Sequence, residues 1–240
     1  MKKLSTLFVL MFLATGIYAQ DMMTPKYGVK AGLNLSGFIA DDALSIYQDN
    51  GAARLGVNGG FFAIFPVSEN FSIQPEVLYS LQGISFVDPE LYVDYNYVEN
   101  IFGPDYVEPD VDAYGDVVAR ENLHYLNVPI LANIVLTEGI SIQIGPQFGF
   151  LMNGTARFDT EGDANNIIEN TFPDFQESVN ITDQRNSFTF AASAGFQAVL
   201  PSDLMLGLRY NYGLVDVVDD ETDEVNLLNQ VGQFYIGYTF

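Results

Sequence analysis

The sequence predicts an all-β fold, an eight-stranded antiparallel up-and-down transmembrane β-barrel with long acidic extracellular loops and short periplasmic turns. Three observations carry that prediction. Eight segments alternate apolar residues with small or polar ones at a period of two. Their connections alternate long and short, as when loops crowd one rim of a barrel and tight turns the other. The less apolar faces carry Gly, Ser, Asn, Gln and Thr instead of Lys, Glu, Arg and Asp. A soluble sandwich would solvate that face with charges, so the apolar faces here read as the outside.

Composition agrees. Hydrophobic residues make up 48% and charged residues 17% of the 240; a soluble globule carries about a quarter charged, so much of this surface meets something other than water. Cysteine is absent, which excludes disulfides, thiolate chemistry and Cys-ligated metal.

The first strand sets Tyr27, Val29, Ala31, Leu33 and Leu35 against Gly28, Lys30, Gly32, Asn34 and Ser36. An acidic loop (37–52) follows. The second strand (53–65) puts Leu55, Val57, Phe61 and Phe65 opposite Arg54, Gly56, Asn58 and Gly60, and a tight turn at 66–70 leads into the third. There Phe71, Ile73, Val77, Tyr79 and Leu81 oppose Ser72, Gln74, Glu76, Ser80 and Gln82. Residues 83–122 read as a long acidic loop. The fourth strand (123–135) and the fifth (140–153) flank a turn at 137–139. A third acidic loop, 154–186, precedes the sixth strand, in which Phe188, Phe190, Ala192, Ala194, Phe196, Ala198 and Leu200 share one face. A turn at 201–203 joins it to the seventh (204–213), and an acidic stretch (216–224) leads to the closing strand, 231–240. That last strand places Phe234, Ile236, Tyr238 and Phe240 on one side, with Tyr235 the large residue on the other. Aromatics gather near strand ends, Phe65 and Phe71 at one rim and Phe150, Phe188, Tyr210 and Tyr212 at the other, as interfacial girdles do.

Residues 1–19 carry Lys2 and Lys3, an apolar run centred on 7–13, and Ala19 before Gln20. This pattern predicts a signal peptide cleaved after Ala19, leaving 20–240 as the barrel domain of an exported protein of the Gram-negative cell outer membrane. The apolar run falls short of the roughly 20 residues a spanning helix needs. The formal net charge of −22 argues against nucleic acid or an anionic surface held through a basic patch.

Four charges face inward: Lys30, Arg54, Glu76 and Arg209. An eight-strand ring is just wide enough for side chains to fill, and its third and seventh strands lie opposite each other. A Glu76–Arg209 ion pair across the lumen is therefore expected, with Lys30 nearby and Arg54 higher. The acids lie almost wholly in the long loops; only Asp21, Glu69, Glu76, Glu138 and Asp203 fall elsewhere. Solvated loops are the plain reading, and divalent cations bridging to lipopolysaccharide phosphates the sharper one. Asp110, Asp112, Gly115, Asp116, Val117 and Glu121 follow part of a calcium-loop spacing, but Tyr114 and Val118 stand where oxygen ligands are usual. His124, the one histidine, has Glu121 near it but no serine on its strand, so no acid–base–nucleophile set is predicted. Neither an enzyme nor a cofactor is expected.

Several stretches, namely Tyr27-Gly28-Val29-Lys30-Ala31-Gly32-Leu33-Asn34, Phe71-Ser72-Ile73-Gln74-Pro75-Glu76-Val77-Leu78-Tyr79-Ser80, Tyr125-Leu126-Asn127-Val128-Pro129-Ile130-Leu131, Gly145-Pro146-Gln147 and Tyr238-Thr239-Phe240, give the chain a family likeness. It resembles the porin-family, PorT-like outer-membrane β-barrel domain over essentially the whole length after the leader. The resemblance implies that Phe240 and the alternation before it serve as a carboxy-terminal signal to the barrel-assembly machinery. It allows a role as an accessory component of a protein-secretion or surface-assembly machine. The first expectation is a structural or interaction barrel with a plugged lumen, meeting outer-membrane lipid, lipopolysaccharide and protein partners through its loops; a narrow porin-type channel is a third.

Overall fold

A computed structural model of the chain describes residues 24–40, 51–88, 115–162, 178–218 and 227–240. The predicted leader lies outside the described residues. The strands are β1 (Lys26–Ala40), β2 (Gly51–Ser68), β3 (Phe71–Gln82), β4 (Ile84–Asp88), β5 (Gly115–Thr137), β6 (Ile140–Gly162), β7 (Ser178–Asn180), β8 (Phe188–Val199), β9 (Leu204–Asp216) and β10 (Leu227–Thr239). Each neighbour is antiparallel, and β1 pairs with both β2 and β10, from Gly28 opposite Thr239 to Ala40 opposite Leu227. With β3 and β4 consecutive along one stave, the staves β1, β2, β3/β4, β5, β6, β8, β9 and β10 form a closed eight-strand barrel. The seam is finished by Phe240 N–H donating to the Tyr27 carbonyl at 2.9 Å.

The tight turns sit where alternation predicts them, between β2 and β3, β5 and β6, and β8 and β9. At the loop end the strands run further than the sequence suggests. Residues 84–88 and 115–122, read as loop, are strand: β4 pairs with the start of β2 and with β5. β6 continues to Gly162, and β7 pairs with it at 155–157. Segments 84–88 and 115–122 lack the sustained apolar alternation that marks a lipid-facing strand, so the sequence pattern does not reveal them. The join between β3 and β4 is Gly83, at φ 142°, where a Cβ would stand 2.0 Å from the Glu121 carbonyl oxygen; only glycine fits there. The Ser36 hydroxyl and the Gly83 main chain hold it at 2.9 Å.

Burial is inverted relative to a soluble protein. Phe61, Phe196, Leu208 and Leu55 are each about 60% or more exposed, whereas Lys30, Glu76, Gln74, Gln143, Asn34 and Arg209 are 4% exposed or less. The outward set is the apolar set of the sequence reading.

Inside, the lumen is less uniformly polar than expected. Phe62, Met205 and Tyr235 pack together with Ile64 and Val199 near the turn end. Leu123, Tyr125, Ile181 and Val217 do so at the loop end, with Phe38, Leu151 and Ala156 against them. Leu78 and Leu131 are also fully buried.

Candidate functional site

Between these two apolar clusters lies a polar belt. Glu76 on β3 accepts four hydrogen bonds: Arg209 Nη1 on Oε2 at 2.8 Å and Nη2 on Oε1 at 2.9 Å, Lys30 Nζ on Oε2 at 2.5 Å, and Gln74 Nε2 on Oε1 at 2.7 Å. The predicted pair across the lumen is therefore present, in the two-pronged geometry that guanidinium and carboxylate favour, with Lys30 beside it. The three side chains are essentially sealed from solvent.

Amides complete a circuit around the pair. Arg209 Nη2 donates to Gln143 Oε1 at 2.9 Å, Gln143 Nε2 to Asn133 Oδ1 at 2.9 Å, and Asn133 Nδ2 to Gln74 Oε1 at 2.9 Å. Tyr235 from β10 lies across this ring: its hydroxyl donates to Gln143 Oε1 at 2.7 Å, and Lys30 Nζ stands 4.2 Å from its ring centre. An ammonium over an aromatic face is attracted by the ring quadrupole, so Tyr235 helps hold the second cation that Glu76 alone does not balance. A further set centres on Asn34, whose Oδ1 accepts from Asn58 at 2.7 Å and Gln233 at 3.0 Å while its Nδ2 donates to Ser80 at 2.9 Å.

Period-two reading found Glu76, Arg209 and Lys30 because charges inside a barrel are few. It did not single out Gln74, Asn133, Gln143 and Tyr235, because amides occur at many inward positions and only the stagger of the strands brings these four together.

Tyr235 also depends on a bare position beside it. A Cβ on Gly207 would stand 2.1 Å from Tyr235 Cζ and 2.3 Å from its hydroxyl, and the ring is pinned by Gln143 and Lys30. Gly207→Ala is therefore expected to destabilise the barrel by about 1–3 kcal/mol, the usual cost of overpacking, as a lower urea midpoint with the folded gel mobility retained.

Arg54 lies higher, as expected, bonded through Nη2 to Asn122 Oδ1. Glu121 points into the lumen mouth and binds Arg185, Nη2 to Oε1 at 2.6 Å and Nε to Oε2 at 3.3 Å. His124 takes the opposite face of the same strand, half-buried against Tyr79, with Nδ1 2.7 Å from the phenol oxygen. The structure thus separates His124 from Glu121.

Asp110 and Asp112 lie outside the described residues; Gly115, Asp116, Val117 and Glu121 lie on β5. An extended strand puts positions 116 and 121 about 17 Å apart, too far for one ion. No group of three or more His, Cys, Asp or Glu that could hold a metal occurs among the described residues.

At the outer end, residues 178–186 fold back over the mouth. β7 pairs with Thr155–Arg157 of β6, a single 3-10 turn covers Thr182–Gln184, and Ile181 is buried against Leu123, Tyr125 and Val217. Ile181 N–H donates to the Gly154 carbonyl at 2.9 Å, and Asn186 Nδ2 to the carbonyls of Asp216 and Val218 at 2.8 and 2.9 Å. Burying one isoleucine stabilises by about 1.5–3 kcal/mol; the Arg185–Glu121 pair, both side chains only 10% exposed, and the Gly154 N–H donating to Thr182 Oγ1 at 2.8 Å add to that hold.

No curated protein sequence matches the chain. Among solved structures, Ail of Yersinia pestis in complex with the heparin analogue sucrose octasulfate is 15% identical, with a TM-score of 0.43, over 91% of this chain and 100% of that one. Neisserial surface protein A is 11% identical, with a TM-score of 0.44, over the same shares. OprG from Pseudomonas aeruginosa is 10% identical, with a TM-score of 0.32, over 91% of this chain and 97% of that one. The family model described as outer membrane protein beta-barrel domain matches residues 18–219. An inside-out eight-strand barrel matched to that model over most of its length belongs to the outer membrane protein beta-barrel domain family.

Proposed function

We propose that this outer-membrane barrel is closed by its own side chains and acts as a structural or interaction protein, meeting partners outside the cell through its acidic loops. The observation that carries the closed lumen is the belt of Glu76, Arg209, Lys30, Gln74, Asn133 and Gln143, in which groups from β1, β3, β5, β6 and β9 bond to one another instead of lining a channel. Narrow lumens of eight strands are filled in this way. With the lumen filled, the surface left for recognition is the loop rim, where most of the 31 acidic residues fall; this supports protein or cation-bridged lipopolysaccharide partners over nucleic acid. Neither a cofactor nor catalysis enters this reading.

Export through a leader cleaved after Ala19 and assembly through the strand ending at Phe240 are part of the same proposal. Phe240 is 72% exposed on the lipid-facing side of the seam, accessible to an assembly factor.

Two measurements test it. In planar bilayers the refolded protein is expected to give no steady current, and sustained open channels would overturn the closed lumen. Affinity purification of the native protein from detergent-solubilised membranes separates the interaction roles. A loop-dependent partner supports the reading, whereas a stable stoichiometric complex that survives loop deletion favours the accessory role in a secretion machine that the PorT-like segments imply.

A further inference from the structure

We propose that the outward wall of β2, β4, β5 and β6 at the loop end binds the phosphate groups of lipopolysaccharide directly, through Arg54, Arg120 and Arg157. The proposal rests on placement in the outer membrane and stands apart from the closed lumen and from cation bridging by the acidic loops.

The first observation is where the fold gathers positive charge. The net charge of −22 argues against a basic patch, yet three arginines from three strands meet on one face. Glu121 points into the lumen mouth, so Arg120 and Asn122 take the outer face of β5, the face of His124. Arg157 on β6 stands directly opposite Arg120; Arg157 is exposed and Arg120 half-buried. Arg54 reaches the same face from β2, its Nη2 bonded to Asn122 Oδ1. Ser85, Thr155 and Asn153, paired there with Arg120, Asn122 and His124, are uncharged. Three of the nine basic residues of the chain thus share one patch, whereas Lys30 and Arg209 are sealed in the lumen and Arg185 binds Glu121.

The second observation is the pairing itself. Like charges directly opposite each other destabilise a sheet, and an anion shared by Arg120 and Arg157 turns that repulsion into attraction. Both also make contacts within the chain. A guanidinium carries five N–H donors in a planar fork, so such a contact leaves donors for phosphate, which arginine binds in two-pronged fashion. Height selects the source of the phosphate. Tyr79 and His124 form an outward aromatic pair, ring centres 6.0 Å apart, at the rim where girdle residues mark the headgroups. For strands rising about 3.3 Å per residue at a tilt of about 40°, Asn122 lies about 5 Å and Arg120 about 10 Å further out than His124. Beyond them on β6 come the acidic positions Asp159 and Glu161, opposite Val118 and Asp116. The cations therefore stand next to the lipid surface and the acids away from it, the order that suits a leaflet with phosphate in its headgroups.

The full-length refolded protein in detergent, with EDTA present, is to be titrated onto sensor surfaces coated with lipopolysaccharide, with the same lipopolysaccharide after enzymatic dephosphorylation, or with phosphatidylglycerol. Binding to intact lipopolysaccharide at least tenfold tighter than to the other two is expected. A combined Arg120→Gln and Arg157→Gln variant is expected to lose at least tenfold, while Lys26→Gln, at the opposite rim, keeps the full affinity. No binding, equal binding to either control surface, or unchanged binding by the double variant would overturn the site. So would binding seen only without EDTA, which assigns the contact to cation bridges from the acidic loops instead. Retained folded gel mobility certifies each variant; if the double variant does not fold, Arg157→Gln alone, at an exposed position, carries the test with at least a threefold loss expected. Bilayer currents and affinity purification do not depend on this outcome, so either reading can fail alone.

Discussion

Glu76→Leu is expected to be the most damaging single substitution in the barrel, costing about 3–5 kcal/mol, the typical penalty for removing one partner of a buried ion pair. Here the loss leaves Arg209 and Lys30, both sealed from solvent, facing each other with no carboxylate between them. It also removes the acceptor for Gln74 and opens the amide circuit through Asn133 and Gln143. The readout is urea unfolding in detergent followed by the heat-dependent gel shift of folded barrels. The penalty belongs to the orphaned charges and not to the site's shape, so a combined Glu76→Leu, Arg209→Met and Lys30→Met variant is expected to recover most of it. A triple variant no more stable than Glu76→Leu alone would show that the belt's hydrogen bonds, and not its charge balance, hold the lumen together.

The second large effect is on the opposite wall. Leu208 neighbours Arg209 in sequence yet is 59% exposed on the outer face, paired with Phe196 and Phe234, which are also outward. Leu208→Arg is expected to cost about 2–4 kcal/mol, as arginine does on the lipid face near the midplane of a barrel. On the wall of a soluble protein an exposed Leu→Arg change costs within about 0.5 kcal/mol, so the size of the effect reports the solvent. It is read as a lower yield of folded barrel in liposomes and a lower urea midpoint.

The sequence disclosed the membrane-embedded part of the fold well, because lipid imposes a strict rule there. Every second residue from Tyr27 to Leu35 or from Leu204 to Tyr212 must be apolar, while the alternate positions are free to be Gly, Asn or Arg. The Glu76–Arg209 pair was legible for a related reason: a barrel interior tolerates few charges, and ring order fixes which strands oppose. Three things were not legible. The upper strands around 84–88 and 115–122 carry no lipid-imposed pattern. Lumen apolar residues such as Phe62, Leu78 and Leu131 sit beside the polar belt, Phe62 paired with Glu76 and Leu131 with Gln74, and period two cannot assign a face where neighbours on both sides are apolar. The fold of residues 178–186 was hidden in an acidic stretch, where nothing marks Ile181 apart from exposed Val179; its burial depends on Leu123, Tyr125 and Val217 converging from distant parts of the chain.

The apolar face of the barrel looks outward into lipid and the polar face inward. The chain contains no tryptophan, so one introduced at a time reports its own surroundings. Leu208→Trp and, in a separate protein, Met205→Trp are to be compared in bilayers of lipids brominated along the acyl chain. Strong quenching of Trp at position 208 and little at 205 is the predicted result; quenching at 205 with none at 208, or a Leu208→Trp protein that stays monomeric in water without detergent, would contradict it.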